Sequence, residues 1–197
     1  MIPLLQNAVD KLSSFPTIGR RTALMLALYL LRQPEQEAEA IAASLVDLRK
    51  GVRYCKICNM ISEGEICHIC SDSRRDHSLI CVVESIRDVM CIEDTGEYGG
   101  CYHVLGGVIS PMDGIGPDDL HIDSLLERAS SGKVREVILA IGKGMEGETT
   151  AFYINKLLLK SGVAVSTIAR GVGFGADLEY TDAMTLGLSI KNRVPFE

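Results

Sequence analysis

Apolar residues near the start of the chain recur at helical spacing. Leu4, Leu5, Ala8, Val9 and Leu12 fall on one face of a helix predicted over residues 3–13. The run Ser13-Ser14-Phe15-Pro16-Thr17-Ile18-Gly19 interrupts it with turn-forming residues. A second helix is predicted over 20–32, dense in apolar residues from Ala23 to Leu31, and Pro34 stops it. A third fits 35–50. Glu35, Glu37 and Glu39 in its first turns suit the positive end of the helix dipole, and Ile41, Leu45 and Leu48 form its apolar face. Periodicity then disappears over 54–76. Beyond it the pattern changes to short continuous apolar runs: Leu79 to Val83, Val137 to Ile141, and a weaker one from Val163 to Ala169. A helical stretch at 146–161 separates the last two, and Cys101 to Leu105 is a further strand candidate. Runs of this kind alternating with helices predict βαβ units and a parallel sheet covered on both faces. The tail, 177–193, reads as a short extended piece followed by a helix.

Composition narrows the class. The chain has 197 residues, 47% hydrophobic and 23% charged, enough to bury a core, so disorder is excluded as the dominant state. No stretch of about 18 uncharged apolar residues predicts a membrane span. The first residues lack the basic and apolar regions of a secretory leader, so a cytoplasmic location is expected. The formal net charge of −6 argues against a nucleic-acid partner until it is divided. Residues 1–75 carry +2 and residues 76–197 carry −8. Before residue 34, Lys11, Arg20, Arg21 and Arg32 face only Asp10, so a basic head precedes an acidic body.

The seven cysteines divide by spacing. Cys55-x2-Cys58 and Cys67-x2-Cys70 are two knuckles whose four thiolates complete a closed tetrahedral Zn2+ site, a structural arrangement with no open position for catalysis. His68 is dispensable to a site already supplied with four sulfurs. Arg53, Lys56, Arg74 and Arg75 flank it and are placed to offset the thiolate charge. Cys81, Cys91 and Cys101 are read as bystanders, with Cys81 and Cys101 buried in strands.

The turn Phe15 to Gly19 between two helices resembles the helix-hairpin-helix motif. There a helix N-terminus offers backbone N–H groups to a DNA phosphate. Gly19, Arg20, Arg21 and Lys11 are the candidate DNA contacts, Arg20 and Arg21 adding charge-assisted bonds. Such contacts carry affinity without base recognition.

The hairpin, the four-cysteine cluster and the βα region, in this order, resemble the RecR family of bacterial recombination mediators essentially end to end. Tyr102-His103-Val104-Leu105-Gly106-Gly107, Ile109-Ser110-Pro111, Asp113-Gly114-Ile115-Gly116-Pro117, Glu146-Gly147-Glu148 and Asp177-Leu178-Glu179-Tyr180 carry the likeness. The resemblance implies an α+β multi-module chain. It would comprise a helical hairpin module at 1–53, a C4 zinc finger at 54–76, an α/β toprim domain with a parallel sheet at 77–175, and a C-terminal oligomerisation arm at 176–197. It further implies a homotetrameric ring on DNA that acts with RecO and RecF to load the recombinase RecA on gapped DNA. Two departures from the family hairpin stand out: Thr17 replaces a glycine and Met25 an arginine, while Arg21 keeps the charge of a lysine. A threonine tolerates positive φ poorly, so a tightened or skewed hairpin is expected.

Toprim enzymes hold Mg2+ with a glutamate after one strand and an Asp-x-Asp after a later one. Glu84 fills the first position here, but Gly142 and Gly144 stand at the two aspartate positions, with Lys143 between. Without those carboxylates the clamp for metal-assisted phosphodiester chemistry is missing. The reading is therefore a non-enzymatic DNA-binding mediator, set against a toprim nuclease or primase and a zinc scaffold without nucleic acid. The remaining acids Glu84, Glu93, Glu97, Glu146 and Glu148 are read as a docking surface for a basic protein, RecO by resemblance.

Overall fold

The computed structural model describes residues 1–142, 144–169, 171–172, 175 and 177–191. Two compact units form, Met1–Val52 and Arg53–Glu197.

The first unit is helical. Helices α1 (Pro3–Leu12), α2 (Arg20–Leu30) and α3 (Glu35–Gly51) match the predicted boundaries within one or two residues. Pro3 opens α1, where its missing N–H costs nothing. α1 and α2 pack through Val9, Ala23 and Ala27, with Leu5, Leu12, Ile18 and Leu24 partly buried around them. The two alanines allow the helix backbones close approach. α3 corrects the sequence reading: it buries none of its side chains, and its predicted core face, Ile41, Leu45 and Leu48, is exposed. Its ends still suit the dipole, with Glu35 and Glu37 first and Arg49 and Lys50 last.

The second unit opens with a two-stranded ribbon, β1 (Arg53–Tyr54) against β2 (Ile61–Ser62), then the single turn α4 (His68–Ser71). The sheet follows: β3 (Asp76–Val83), β4 (Gly100–Val104), β5 (Glu136–Ala140) and β6 (Ala164–Thr167), all parallel, in the order β4-β3-β5-β6. Helices α5 (Ile86–Glu93), α6 (Ile122–Ala129) and α7 (Met145–Leu158) connect the strands, and α8 (Ala183–Lys191) follows the sheet. Every strand candidate read from the sequence is present. The tail's predicted extended piece is instead a 3-10 turn, Leu178–Tyr180, closed by Thr181 N–H to the Leu178 carbonyl.

Alternation along β3 divides the core. Ile80 and Val82 join Val137 and Leu139 against α6 and α7, where Leu125, Ile154 and Leu158 are fully buried. Cys81 and Val83 face the other way, with Tyr102 and Val104, against Val89 of α5 and the cysteine knuckles. The knuckles thus share a core with the sheet, and the Val104 N–H donates to the Cys58 carbonyl at 2.8 Å. Strand order reverses around β3, its two neighbours lying on opposite sides. The carboxyl ends of β3 and β5 therefore open a crevice of the kind that holds ligands in parallel sheets. No helix among the described residues is long and apolar enough to cross a membrane.

Candidate functional site

Three places carry chemistry: the cysteine knuckles, the crevice beyond β3 and β5, and the start of α2.

Cys55, Cys58, Cys67 and Cys70 are all buried, and their sulfurs lie within 4.8 Å of one another. Four sulfurs bonded to one Zn2+ at about 2.3 Å in a tetrahedron stand about 3.8 Å apart. The Cys58–Cys67 sulfur separation of 3.5 Å fits that geometry. Backbone amides support the sulfurs: Cys67 N–H points at Cys55 Sγ at 3.3 Å and Cys70 N–H at Cys67 Sγ at 3.4 Å. The Cys58 thiol lowers the proton affinity of Cys67, and the same contact pushes Cys58 up to about 12. A divalent ion displaces the thiol protons, and the all-sulfur donor set suits one structural zinc. Asn59 turns the first knuckle with φ at +62°, a conformation asparagine adopts more readily than most residues. His68 is exposed and stands outside the cluster.

The flanking cations correct the sequence reading, because carboxylates match three of them. Lys56 pairs with Glu65 at 2.6 Å and Arg74 with Asp72 at 2.8 Å. Arg75 forks onto both oxygens of Glu93, which also accepts the Tyr102 hydroxyl at 2.6 Å. The Arg75 guanidinium holds the Glu93 carboxyl below its ordinary range. Glu93 therefore fastens the segment after α4 to α5 and β4, and is not a free docking acid.

At the crevice, Glu84 leaves the end of β3 and its carboxylate accepts the Gly142 N–H. A Cβ on Gly142 would stand 2.7 Å from that carboxylate. Gly147, in the first turn of α7, approaches so closely that a Cβ would lie 2.1 Å from the Gly142 carbonyl oxygen. A glycine is therefore required at 147, and the loop after β5 is drawn tight over the helix. Lys143 lies outside the described residues. Glu146 and Glu148 are exposed on the first turn of α7, where they suit the dipole. Glu146 accepts from the Ser110 hydroxyl, which also lies 2.8 Å from Asp113. Thr150 is fully buried; it accepts from the Ile109 N–H at 2.9 Å and donates to the Glu146 carbonyl at 2.7 Å. These bonds tie the loop 105–115 to α7. Ser110 and Thr150 had no assigned role in the sequence reading, since their partners are 36 and 41 residues away. Glu97 is exposed. Cys81 and Cys101 are buried as expected, and Cys91 is exposed.

In the hairpin, Thr17 holds φ at +67°, so the turn keeps the left-handed conformation despite its branched side chain. Gly19 precedes α2 in an extended conformation, no side chain caps the helix, and its first turn has no acidic residue. A Cβ on Gly19 would meet nothing within 4 Å. Arg20, Arg21 and Lys11 are exposed, and Arg20 lies 3.1 Å from Asp10 in an open ion pair.

A helix-hairpin-helix unit, a four-cysteine zinc finger and a toprim sheet on one chain define a composite class of recombination proteins. Consistent with this, residues 5–49 match the RecR helix-hairpin-helix family, 52–72 the four-cysteine zinc finger domain of RecR, 78–169 the Toprim domain, and 171–194 the RecR C-terminal family. Among curated proteins, the chain is 56% identical over 193 residues to Recombination protein RecR of Porphyromonas gingivalis, covering 98% of this chain and 93% of that one. The counterpart of Parabacteroides distasonis shows the same identity and coverage, and that of Flavobacterium johnsoniae is 52% identical over 194 residues, covering 98% and 94%. The chain belongs to the RecR family.

Proposed function

We propose that this protein is a non-enzymatic, DNA-binding mediator of recombinational repair, acting with RecO and RecF to load RecA on gapped DNA. The observation that carries the non-enzymatic reading is the Glu84–Gly142 bond. The carboxylate that anchors Mg2+ in toprim enzymes is here engaged by a backbone N–H, and Gly142 and Gly144 stand where the paired aspartates belong. The DNA contact is assigned to Gly19, Arg20, Arg21 and Lys11. The uncapped start of α2 leaves N–H groups for a phosphate, the open space over Gly19 admits its close approach, and the two arginines add charge. Cys55, Cys58, Cys67 and Cys70 hold one structural zinc. Glu84, Glu146 and Glu148 are assigned to partner docking, with Glu146 and Glu148 the exposed pair. The segment from 176 onward serves as the oligomerisation arm of a homotetrameric ring, and Ala176 and 192–197 lie outside the described residues. The cytoplasm, in association with the nucleoid, is the corresponding location.

The test is incubation of the zinc-loaded protein with nicked, gapped and supercoiled DNA in Mg2+. Retention of DNA with every strand unchanged is the expected result. Cleavage, relaxation or primer synthesis that depends on Glu84 would establish a toprim enzyme instead.

A further inference from the structure

The solvent side of α2 is apolar where an amphipathic helix would be polar. Ala23 and Ala27 are buried against α1. Arg21, Met25 and Tyr29 recur every fourth residue on the opposite side of the helix, with Leu28 beside them. Met25 is 66% exposed, Tyr29 57% and Leu28 40%. Arg32 bounds this strip at its far end, in the turn after α2, where its N–H donates to the Tyr29 carbonyl at 3.0 Å. An exposed arginine thus stands at each end, with an aromatic ring and a thioether between. From Lys11 to Pro34 the chain carries four cations and no aspartate or glutamate.

We propose that this strip is a stacking platform for unpaired nucleotides, with bases on Tyr29 and Met25 and the adjoining phosphates on Arg21 and Arg32. The paired arginines, with no acid among them, require an anion. The apolar surface between them requires a flat apolar group beside that charge. An unpaired nucleotide is both, because every base has a π-face and stacks on aromatic side chains whatever its sequence. A duplex keeps its bases within its own stack and offers the strip phosphate alone. A second copy of the chain, meeting the strip about a two-fold axis, would set arginine against arginine with no acid between them. The inference rests on the reading of the start of α2 as a phosphate site. It deepens that reading: Gly19 and Arg20 take the backbone, and the strip beyond them separates single strand from duplex.

The chain contains no tryptophan, so Tyr29→Trp in the full zinc-loaded protein supplies a single fluorescent reporter. The probes are a thymidine oligonucleotide and a blunt duplex of the same length. The oligonucleotide should quench the Tyr29→Trp emission to saturation, and the duplex should not. Tyr29→Ala should bind the oligonucleotide about tenfold more weakly, and Tyr29→Phe, which keeps the ring, should bind it as the wild type does. Stacking releases no counterions, so the salt slope should be the same in Tyr29→Ala and the wild type. Equal binding of the oligonucleotide by Tyr29→Ala and the wild type would overturn the proposal, as would equal quenching by the duplex. So would a change of sedimenting size in Tyr29→Ala without DNA, which would assign the strip to a second copy of the chain. Arg20→Glu/Arg21→Glu examines the phosphate reading separately. Loss of binding there beside full binding by Tyr29→Ala would refute the platform alone, and retained binding there would refute the phosphate reading.

Discussion

His103 is fully buried in β4, and its Nε2–H donates to the His121 carbonyl at 2.7 Å while Nδ1 has no partner among the described residues. Burial disfavours the imidazolium and lowers its pKa to about 4, so the folded state holds neutral histidine. The unfolded chain takes up the proton near pH 6.5, so this contribution to stability is complete above that value and is lost as pH falls toward 4. Between pH 7.5 and 5.5, urea unfolding should show about 1 kcal/mol of stability lost in the wild type that His103→Leu does not lose. Equal pH slopes in the two proteins would contradict the burial account. Thr17 offers a second test at this scale. A branched residue in the left-handed region costs about 1–2 kcal/mol, and the glycine of the family hairpin would avoid it. Thr17→Gly should therefore raise stability by about 1 kcal/mol, measured by the same denaturation, and a loss would show that the threonine is unstrained. The sequence announced the difficulty at Thr17, and the structure shows where it falls, in a threonine held in the left-handed conformation.

Among the elements, the knuckles matter most beyond their own residues. They cover the face of the sheet formed by Cys81, Val83, Tyr102 and Val104, and they bond to β4 through Cys58. Structural zinc supplies about 10 kcal/mol or more in isolated fingers, comparable with the whole stability of a domain. Chelating the metal should therefore release amide protection in β4 and β3 as well as in 55–70, while leaving α1 and α2 protected. Hydrogen exchange with and without chelator reads this directly, and loss confined to 55–70 would contradict the shared core. The strands were legible because each is a short apolar run bounded by turn residues. α5 and α6 were not read as helices: each has only eight residues, too few to display a clear period. The exposed face of α3 goes against its pattern: none of its residues joins the Val9, Ala23 and Ala27 cluster that packs α1 on α2.

For the whole molecule, the division into a basic head and an acidic body was legible in the sequence, as were the four thiols with metal spacing. The use of the acids was not. Glu84, Glu93 and Glu146 are engaged by Gly142, Arg75 and Ser110, partners that lie 18 to 58 residues away and come together only through the fold. Charge counting treated these acids as one surface; the bonds separate structural Glu93 from exposed Glu146 and Glu148. The central claim is that the start of α2 binds phosphate. Phosphate contacts displace counterions, so the logarithm of affinity falls linearly with the logarithm of salt, by about 0.7 to 0.9 per contact. The most direct measurement is a salt titration of gapped-DNA binding by the wild type and by Arg20→Glu/Arg21→Glu. Affinity should be at least about tenfold lower in the variant at each salt, with the slope reduced by about 1.4 to 1.8 for each engaged chain. The same affinity and the same slope in both proteins would contradict it.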